Sequence, residues 1–301
     1  MFQAPERHGA HEIAVVACSG QRQRRRCTII TDAPTQNSLA RRETAEPPSI
    51  LTKAFDLLRA FNSQERVMTL SEIARAAQLP KSTVHRLLAR LIELDAVEPH
   101  GEGYKLSLGL LQLGATTPAA SLRDVAMPYL AALHRWTGST VRLAVLRQFD
   151  VVYLEKLARL GSVCSLSRVG SRLPANCTAV GKALLAWEDF DDLAHFLPSP
   201  MPRLTPFSRG DVDKLIQELR EVRATRLARE ENEAALGQSC VATPVIVQGL
   251  AVAAVSIGFP TNNPPRQQMD FILREAAGHI ARDVQVSIGD SRRAKWFQQQ
   301  I

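Results

Sequence analysis

The chain has 301 residues, 45% of them hydrophobic and 5% aromatic, with 37 Lys+Arg against 30 Asp+Glu for a net charge of +7. That length suggests two folded units, each able to bury a core, and the ordinary apolar fraction excludes wholesale disorder and a fibrous repeat. No apolar run approaches the roughly 18 residues of a membrane-spanning helix.

The five cysteines, at positions 18, 27, 164, 177 and 240, form no C-x-x-C pair. This argues against a zinc knuckle or disulfide scaffold and for a reducing, cytoplasmic compartment. Glu6 and Glu12 fall where a secretory signal would need a continuous apolar stretch, so none is expected. The positive balance hints at nucleic acid. Residues 1–48 contribute +2, residues 49–120 only +1 and the remainder +4, so the total does not locate a site.

Residues 1–48 carry a basic knot at Arg22, Arg24, Arg25 and Arg26 but no sustained period, and are expected to be a disordered arm. From Ser49, apolar residues Ile50, Ala54, Leu57, Leu58 and Phe61 recur at helical spacing. Thr69-Leu70-Ser71-Glu72 is a capping-box pattern that starts a second helix. Pro80 suits the first position of a third, expected at about 81–94. Its inner face is Val84, Leu87, Leu88 and Leu91; its outer face carries Lys81, Ser82, His85, Arg86, Ala89 and Arg90. A tight hairpin is expected over 97–106, turning at His100-Gly101-Glu102-Gly103.

Three short helices and a hairpin make a winged helix-turn-helix, with the third helix shaped for a DNA major groove. Three cations and no acid before Glu93 line its outer face, where phosphates and guanine edges would lie. The competing reading is a small helical bundle with an ordinary solvated face.

The segment 106–114 is apolar on most sides and fits a core helix or a linker helix that pairs with its copy in a second subunit. A boundary is expected at Thr116-Thr117-Pro118. Beyond it come a helix at 121–137 closed by Gly138, and strands at 141–146 and 151–157. A third strand is placed at 162–168, and 170–174 is expected to be a loop. Helices are expected at about 176–186, 191–197 and 209–224, then a hairpin of strands 240–247 and 250–258, a helix at about 265–286, and a loose tail at 291–301. This is an α+β architecture with an antiparallel sheet, of a kind that binds ligands.

At this point the residues resemble the IclR-type bacterial transcriptional regulators. The likeness begins at Ile50-Leu51-Thr52-Lys53-Ala54 and runs through Leu79-Pro80-Lys81-Ser82-Thr83-Val84-His85-Arg86-Leu87-Leu88. It continues in Gly170-Ser171-Arg172-Leu173-Pro174, Thr178-Ala179-Val180-Gly181-Lys182 and Cys240-Val241-Ala242-Thr243-Pro244. It covers about residues 49–287. The resemblance implies a winged helix-turn-helix (49–106), a linker helix (107–118) and a GAF-like effector-binding domain (119–288), with a loose tail from 289. It also implies a homodimer or dimer of dimers on a palindromic operator, repressing or activating, and a small organic or aromatic acid as effector. Gln78 stands where a turn Gly is usual, Ser239 where Arg is common, and Glu230 and Glu231 where Asp is frequent.

Lys81, Ser82, Thr83, His85, Arg86 and Arg90 are therefore the expected operator contacts, with Lys105 on the wing as a phosphate contact. By resemblance, Leu173, Ala179, Val180, Glu230, Cys240 and Ser256 match effector-contacting positions. Asn176 is added because the start of its helix would offer unpaired N–H groups to a carboxylate. Each has a duller reading as core or surface. A two-residue turn at Gln248-Gly249 would put Cys240 and Ser256 on opposite sheet faces, whereas a three-residue loop would pair them.

Ala254-Val255-Ser256-Ile257-Gly258 looks like a degraded nucleophile elbow, but the following Phe259-Pro260 cannot start the helix that motif needs. There is no P-loop, no G-x-G-x-x-G and no metal-spaced His/Cys cluster, so neither catalysis, cofactor nor metal is expected. A redox sensor built on Cys240 remains open. The alternative function is a metabolite-binding protein whose helix-turn-helix makes protein contacts.

Overall fold

The computed structural model describes residues 48–61, 66–158, 166–263 and 268–288. Nearly all of the arm expected at 1–48, the tail from 289, and Cys18, Cys27 and Cys164 lie outside them. Of the two compact units into which the chain divides, Met1–Lys53 and Ala54–Ile301, the second carries both sites discussed below.

Helices α1 (Ile50–Ala60), α2 (Leu70–Ala76) and α3 (Lys81–Glu93) are followed by the hairpin of β1 (Val97–His100) and β2 (Gly103–Leu106). Leu57, Ile73, Val84 and Leu88 are buried together, the inner positions of the helical periods. Each such side chain stabilises the fold by roughly 1.5–3 kcal/mol. The α2–α3 turn is closed by the Leu79 N–H donating to the Ala74 carbonyl at 3.0 Å. Gln78 takes the left-handed conformation there, φ 55°, at the place where a glycine was the family expectation. The hairpin turns on two residues, with His100 opposite Gly103. Its second strand also bridges Met68, and a Cβ on Gly103 would stand 2.8 Å from the Met68 carbonyl oxygen. Glycine there lets the wing lie against the segment that enters α2.

Short helix α4 (Gly109–Ala115) buries none of its residues, and Leu108, Leu111 and Leu113 are exposed. Helix α5 (Pro118–Thr137) starts three residues before its expected place because Pro118 fits a first turn, and it ends at Gly138, φ 64°.

A six-stranded antiparallel sheet follows, built from β3 (Thr140–Arg147), β4 (Asp150–Leu157), β5 (Arg172–Pro174), β6 (Ala228–Glu231), β7 (Gln238–Val247) and β8 (Leu250–Pro260), in the order β5-β4-β3-β8-β7-β6. Helix α5 and the last helix, α9 (Met269–Ile288), pack on one face through Leu130, Leu133, Leu273 and Ile280 against Val141, Leu143 and Val255. The other face carries Ala144, Val151, Ala242 and Ala254, covered by α6 (Ala179–Leu185) and α8 (Val212–Thr225), with α7 (Phe190–Phe196) beside them. The α+β class with an antiparallel sheet is as expected.

Three local expectations are corrected. Leu166–Arg168, the described end of the strand expected at 162–168, is not a strand, while Arg172–Pro174, expected as a loop, pairs with β4 as an edge strand. Strand β6 was not anticipated at all. The helix expected from 176 begins instead as a 3-10 turn at Ala175–Cys177, and the α-helix proper has seven residues.

Candidate functional site

The helix-turn-helix is fixed locally. Thr69 caps α2: its backbone N–H and hydroxyl donate to Glu72 Oε2 at 2.8 and 2.9 Å, and its hydroxyl accepts the Glu72 N–H. These bonds hold the Glu72 carboxyl below the usual carboxylate range. Helix α3 then turns Val84, Leu87, Leu88 and Leu91 inward. Lys81, Ser82, His85, Arg86 and Arg90 are exposed, and Thr83 is half-buried. Arg90 is ion-paired with Glu93 at 2.6 Å, and Lys105 on the wing with Glu98 at 2.8 Å. Among the described residues Lys81, His85 and Arg86 carry no such pairing. The outer face therefore presents Lys81 and Arg86, its cations without a carboxylate partner among the described residues, in the first half of α3.

The second group of predicted residues converges on a cavity of about 30 Å³, between the sheet and the start of α6. Every strand of the sheet contributes to its wall, among them Arg142 from β3, Tyr153 from β4, Leu173 from β5, Glu230 from β6, Cys240 from β7 and Ser256 from β8. Thr178, Ala179 and Val180 close it from above, and Leu166, Ser167 and Gln238 line it further. It holds room for about two water molecules, so a larger guest must displace part of the rim.

The register explains the convergence. The β7–β8 turn is the two-residue Gln248-Gly249, with Val247 opposite Leu250, which alone would separate Cys240 and Ser256. A bulge between Val245 and Ile246 shifts the pairing by one, so Ser256 stands opposite Ala242 and Cys240 opposite Gly258. Cys240 and Ser256 thus share a face, though they are not partners. On the same face Ser256 is opposite Arg142, and Glu230 is opposite Cys240.

Asn176 does not join them. Its amide donates to the carbonyls of Pro202 and Arg209 at 2.9 and 2.8 Å, tying down the segment before α8. The helix start expected there lies at Ala179 instead, behind the 3-10 turn, where the Thr178 hydroxyl accepts the Gly181 N–H.

Two charged residues that sequence reasoning missed dominate the electrostatics. Arg142 is buried; its Nε donates to Ser167 Oγ at 2.7 Å, and its Nη1 reaches Cys240 Sγ at 3.7 Å. The guanidinium lies over Gly258, where a Cβ would come within 2.3 Å of Nη1. Its signal was a lone cation inside the apolar run Val141–Leu146. Lys182, wholly buried in α6, donates to Glu233 at 2.5 Å, Glu218 at 2.7 Å and the Arg229 carbonyl at 3.3 Å. Burial pushes the Glu233 carboxyl up, opposed by Lys182. Glu230 accepts the N–H groups of Glu233 and Ala234, and burial raises its carboxyl too, partly offset by a hydrogen bond from Cys240.

Among the described residues no group of His, Cys, Asp and Glu is placed to hold a metal, and no helix is long and apolar enough to cross a membrane.

The family model for the C-terminal part of bacterial IclR transcriptional regulators matches residues 115–285, and the IclR helix-turn-helix model matches residues 50–101. The chain belongs to the IclR family. It is 32% identical over 249 residues to the HTH-type transcriptional regulator KdgR of Dickeya chrysanthemi, covering 78% of this chain and 80% of that protein. The Pca regulon regulatory protein of Pseudomonas putida is 27% identical, over 73% of this chain and 77% of that one. The crystal structure of an IclR homolog complexed with 4-hydroxybenzoate, from Microbacterium hydrocarbonoxydans, matches with a TM-score of 0.70 at 28% identity, over 79% of this chain and 100% of that chain. As an IclR-type protein, this chain is a helix-turn-helix transcriptional regulator, and these curated relatives are named as regulators.

Proposed function

We propose that the chain is a cytoplasmic, non-enzymatic transcription factor whose operator binding responds to a small organic or aromatic acid. The observation that carries this is the division of labour within α3: one face buried in the helix-turn-helix core, the other presenting Lys81, His85 and Arg86 to solvent. Lys81, Ser82, Thr83, His85, Arg86 and Arg90 contact operator bases or phosphates in the major groove, and Lys105 contacts phosphate from the wing. Leu173, Ala179, Val180, Glu230, Cys240 and Ser256 receive the effector in their shared cavity. Relatives support the ligand class: one is bound to an aromatic carboxylate.

The protein works as a homodimer or dimer of dimers on a palindromic site, with residues 49–106 binding DNA, 107–118 linking and 119–288 binding effector. Ligand shifts the population of two placements of the DNA-binding pair, and thereby their fit to the half-sites. The exposed leucines of α4 are suited to pairing with a second copy.

Gel shifts with the DNA upstream of the chain's own coding sequence, at two salt concentrations, test this. A shift that weakens steeply with salt is expected. An absent or salt-insensitive shift would favour a metabolite-binding protein whose helix-turn-helix serves protein contacts.

A further inference from the structure

A second cavity opens on the sheet face opposite the first, between β7, the end of α8 and helix α9. Its volume is about 130 Å³, against about 30 Å³ for the first. Thr243 lines it from β7, where the flanking Val241 and Val245 pack on the α9 side. Ala277, Gly278 and Ala281, at helical spacing, form its α9 wall. Arg226 and Arg274 line it from separate elements, and both are exposed. The wall is small and apolar, and its charge is all of one sign.

Among the described residues, neither guanidinium has an ion pair or a hydrogen bond. Asp270, one turn before Arg274 on α9, is taken by Arg229 at 2.5 Å. Arg226 ends α8 at φ 57°, a conformation that glycine usually fills, and the Thr243 hydroxyl donates to its carbonyl at 2.7 Å. Gly278 lies inside α9, where glycine weakens a helix, yet a Cβ there would meet nothing within 4 Å. Packing does not call for that glycine; an open cavity does. Two guanidinium groups suit a phosphoryl group, which carries nearly two negative charges at neutral pH and accepts their paired N–H donors. A single negative charge would leave one of the arginines unmatched.

We propose that this cavity is a second ligand site and that it binds a small phosphate monoester with an apolar organic group. Arg226 and Arg274 hold the phosphoryl group, and the α9 wall covers the organic part. The site stands independently of how the first cavity is read.

Calorimetry on the full chain at pH 7.5 tests this. The probes are phenyl and ethyl phosphate, each beside its sulfonate of single charge, and inorganic phosphate. At least one ester is expected to bind, at least about tenfold tighter than its sulfonate and several-fold tighter than inorganic phosphate. Binding by neither ester would overturn the proposal. Equal affinity for ester and sulfonate would reduce the site to loose attraction of anions, and equal affinity for ester and inorganic phosphate would make it a free-phosphate site; either overturns it. These comparisons need only the wild-type chain. Arg226→Gln and Arg274→Gln should each weaken the ester at least about tenfold. Gly278→Leu, whose side chain would enter the cavity, should abolish ester binding without lowering the unfolding midpoint. Unchanged ester affinity in any of the three would sink the proposal. So would loss of operator affinity, or a change of sedimenting mass, in the arginine variants without ester, since the pair would then serve DNA or a second copy of the chain.

Discussion

Arg86 and Arg142 are the same residue in opposite settings, one exposed on a helix and one buried in the sheet. Arg86 stands on the outer face of α3, exposed, with its direction left to whatever binds it. Arg142 is buried in the sheet, held by Ser167 and seated over Gly258. A long exposed cation meets a polyanion through an adjustable, salt-screened attraction. A buried one has lost its freedom during folding, so it recognises one geometry and contributes selectivity. Arg142 is placed by the sheet, with Ser167 and Cys240 against it, whereas Arg86 needs only a helix with a well-packed inner face.

The contrast is broken most forcefully at Lys182. Lys182→Met would leave Glu233 and Glu218 without their buried cation and should destabilise the fold by about 3 kcal/mol, read as a lowered unfolding midpoint. A variant as stable as wild type would show that the network does not hold α6 over the sheet. Next in size is Arg86→Ala, expected to weaken operator binding by about 1–3 kcal/mol with no change in unfolding midpoint. Arg90→Ala should do less and lower the salt slope by about one, because Arg90 already has Glu93 as a partner. Equal loss of DNA binding and stability at Arg86 would mean that it is part of the core after all.

The smallest effect concerns pH. Burial raises the Glu230 carboxyl above its unfolded value, so its stabilising share is complete below the ordinary carboxylate range and is lost as pH rises through the raised value. Glu230→Gln removes that loss. Its unfolding midpoint should therefore improve relative to wild type on going from about pH 4 to about pH 8. A relative decline over that range would show that Glu230 is stabilised as the anion.

The helix-turn-helix was legible in the sequence because its determinants are local. A capping box, a 3.6-residue period and a two-residue turn each span fewer than a dozen residues, and the α2, α3 and hairpin boundaries agree with them to within a residue or two. The cavity between the sheet and α6 is non-local, and only the family resemblance pointed to its members. Strands β5 and β6, of three and four residues, are too short to show a period. The common face of Cys240 and Ser256 depends on a bulge near Val245 that no turn rule foretells; it gives a two-residue turn the shared face that turn length alone assigns to a three-residue loop. Arg142 was missed because charge was counted by region, whereas the telling feature was one cation in a strand that is otherwise apolar up to Leu146. Asn176 was misplaced because a helix was assumed to run where a 3-10 turn directs its amide to Pro202 and Arg209.

The proposed separation of operator binding from effector binding is tested most directly by a two-by-two measurement. Arg86→Ala and Val180→Trp, which fills the cavity, would each be assayed for operator affinity by fluorescence anisotropy and for the affinity of small organic and aromatic acids by calorimetry. The predicted result is that Arg86→Ala loses about tenfold or more in DNA affinity and none in ligand affinity, while Val180→Trp loses ligand affinity and keeps the DNA affinity measured without ligand. Loss of both activities in each variant would contradict it.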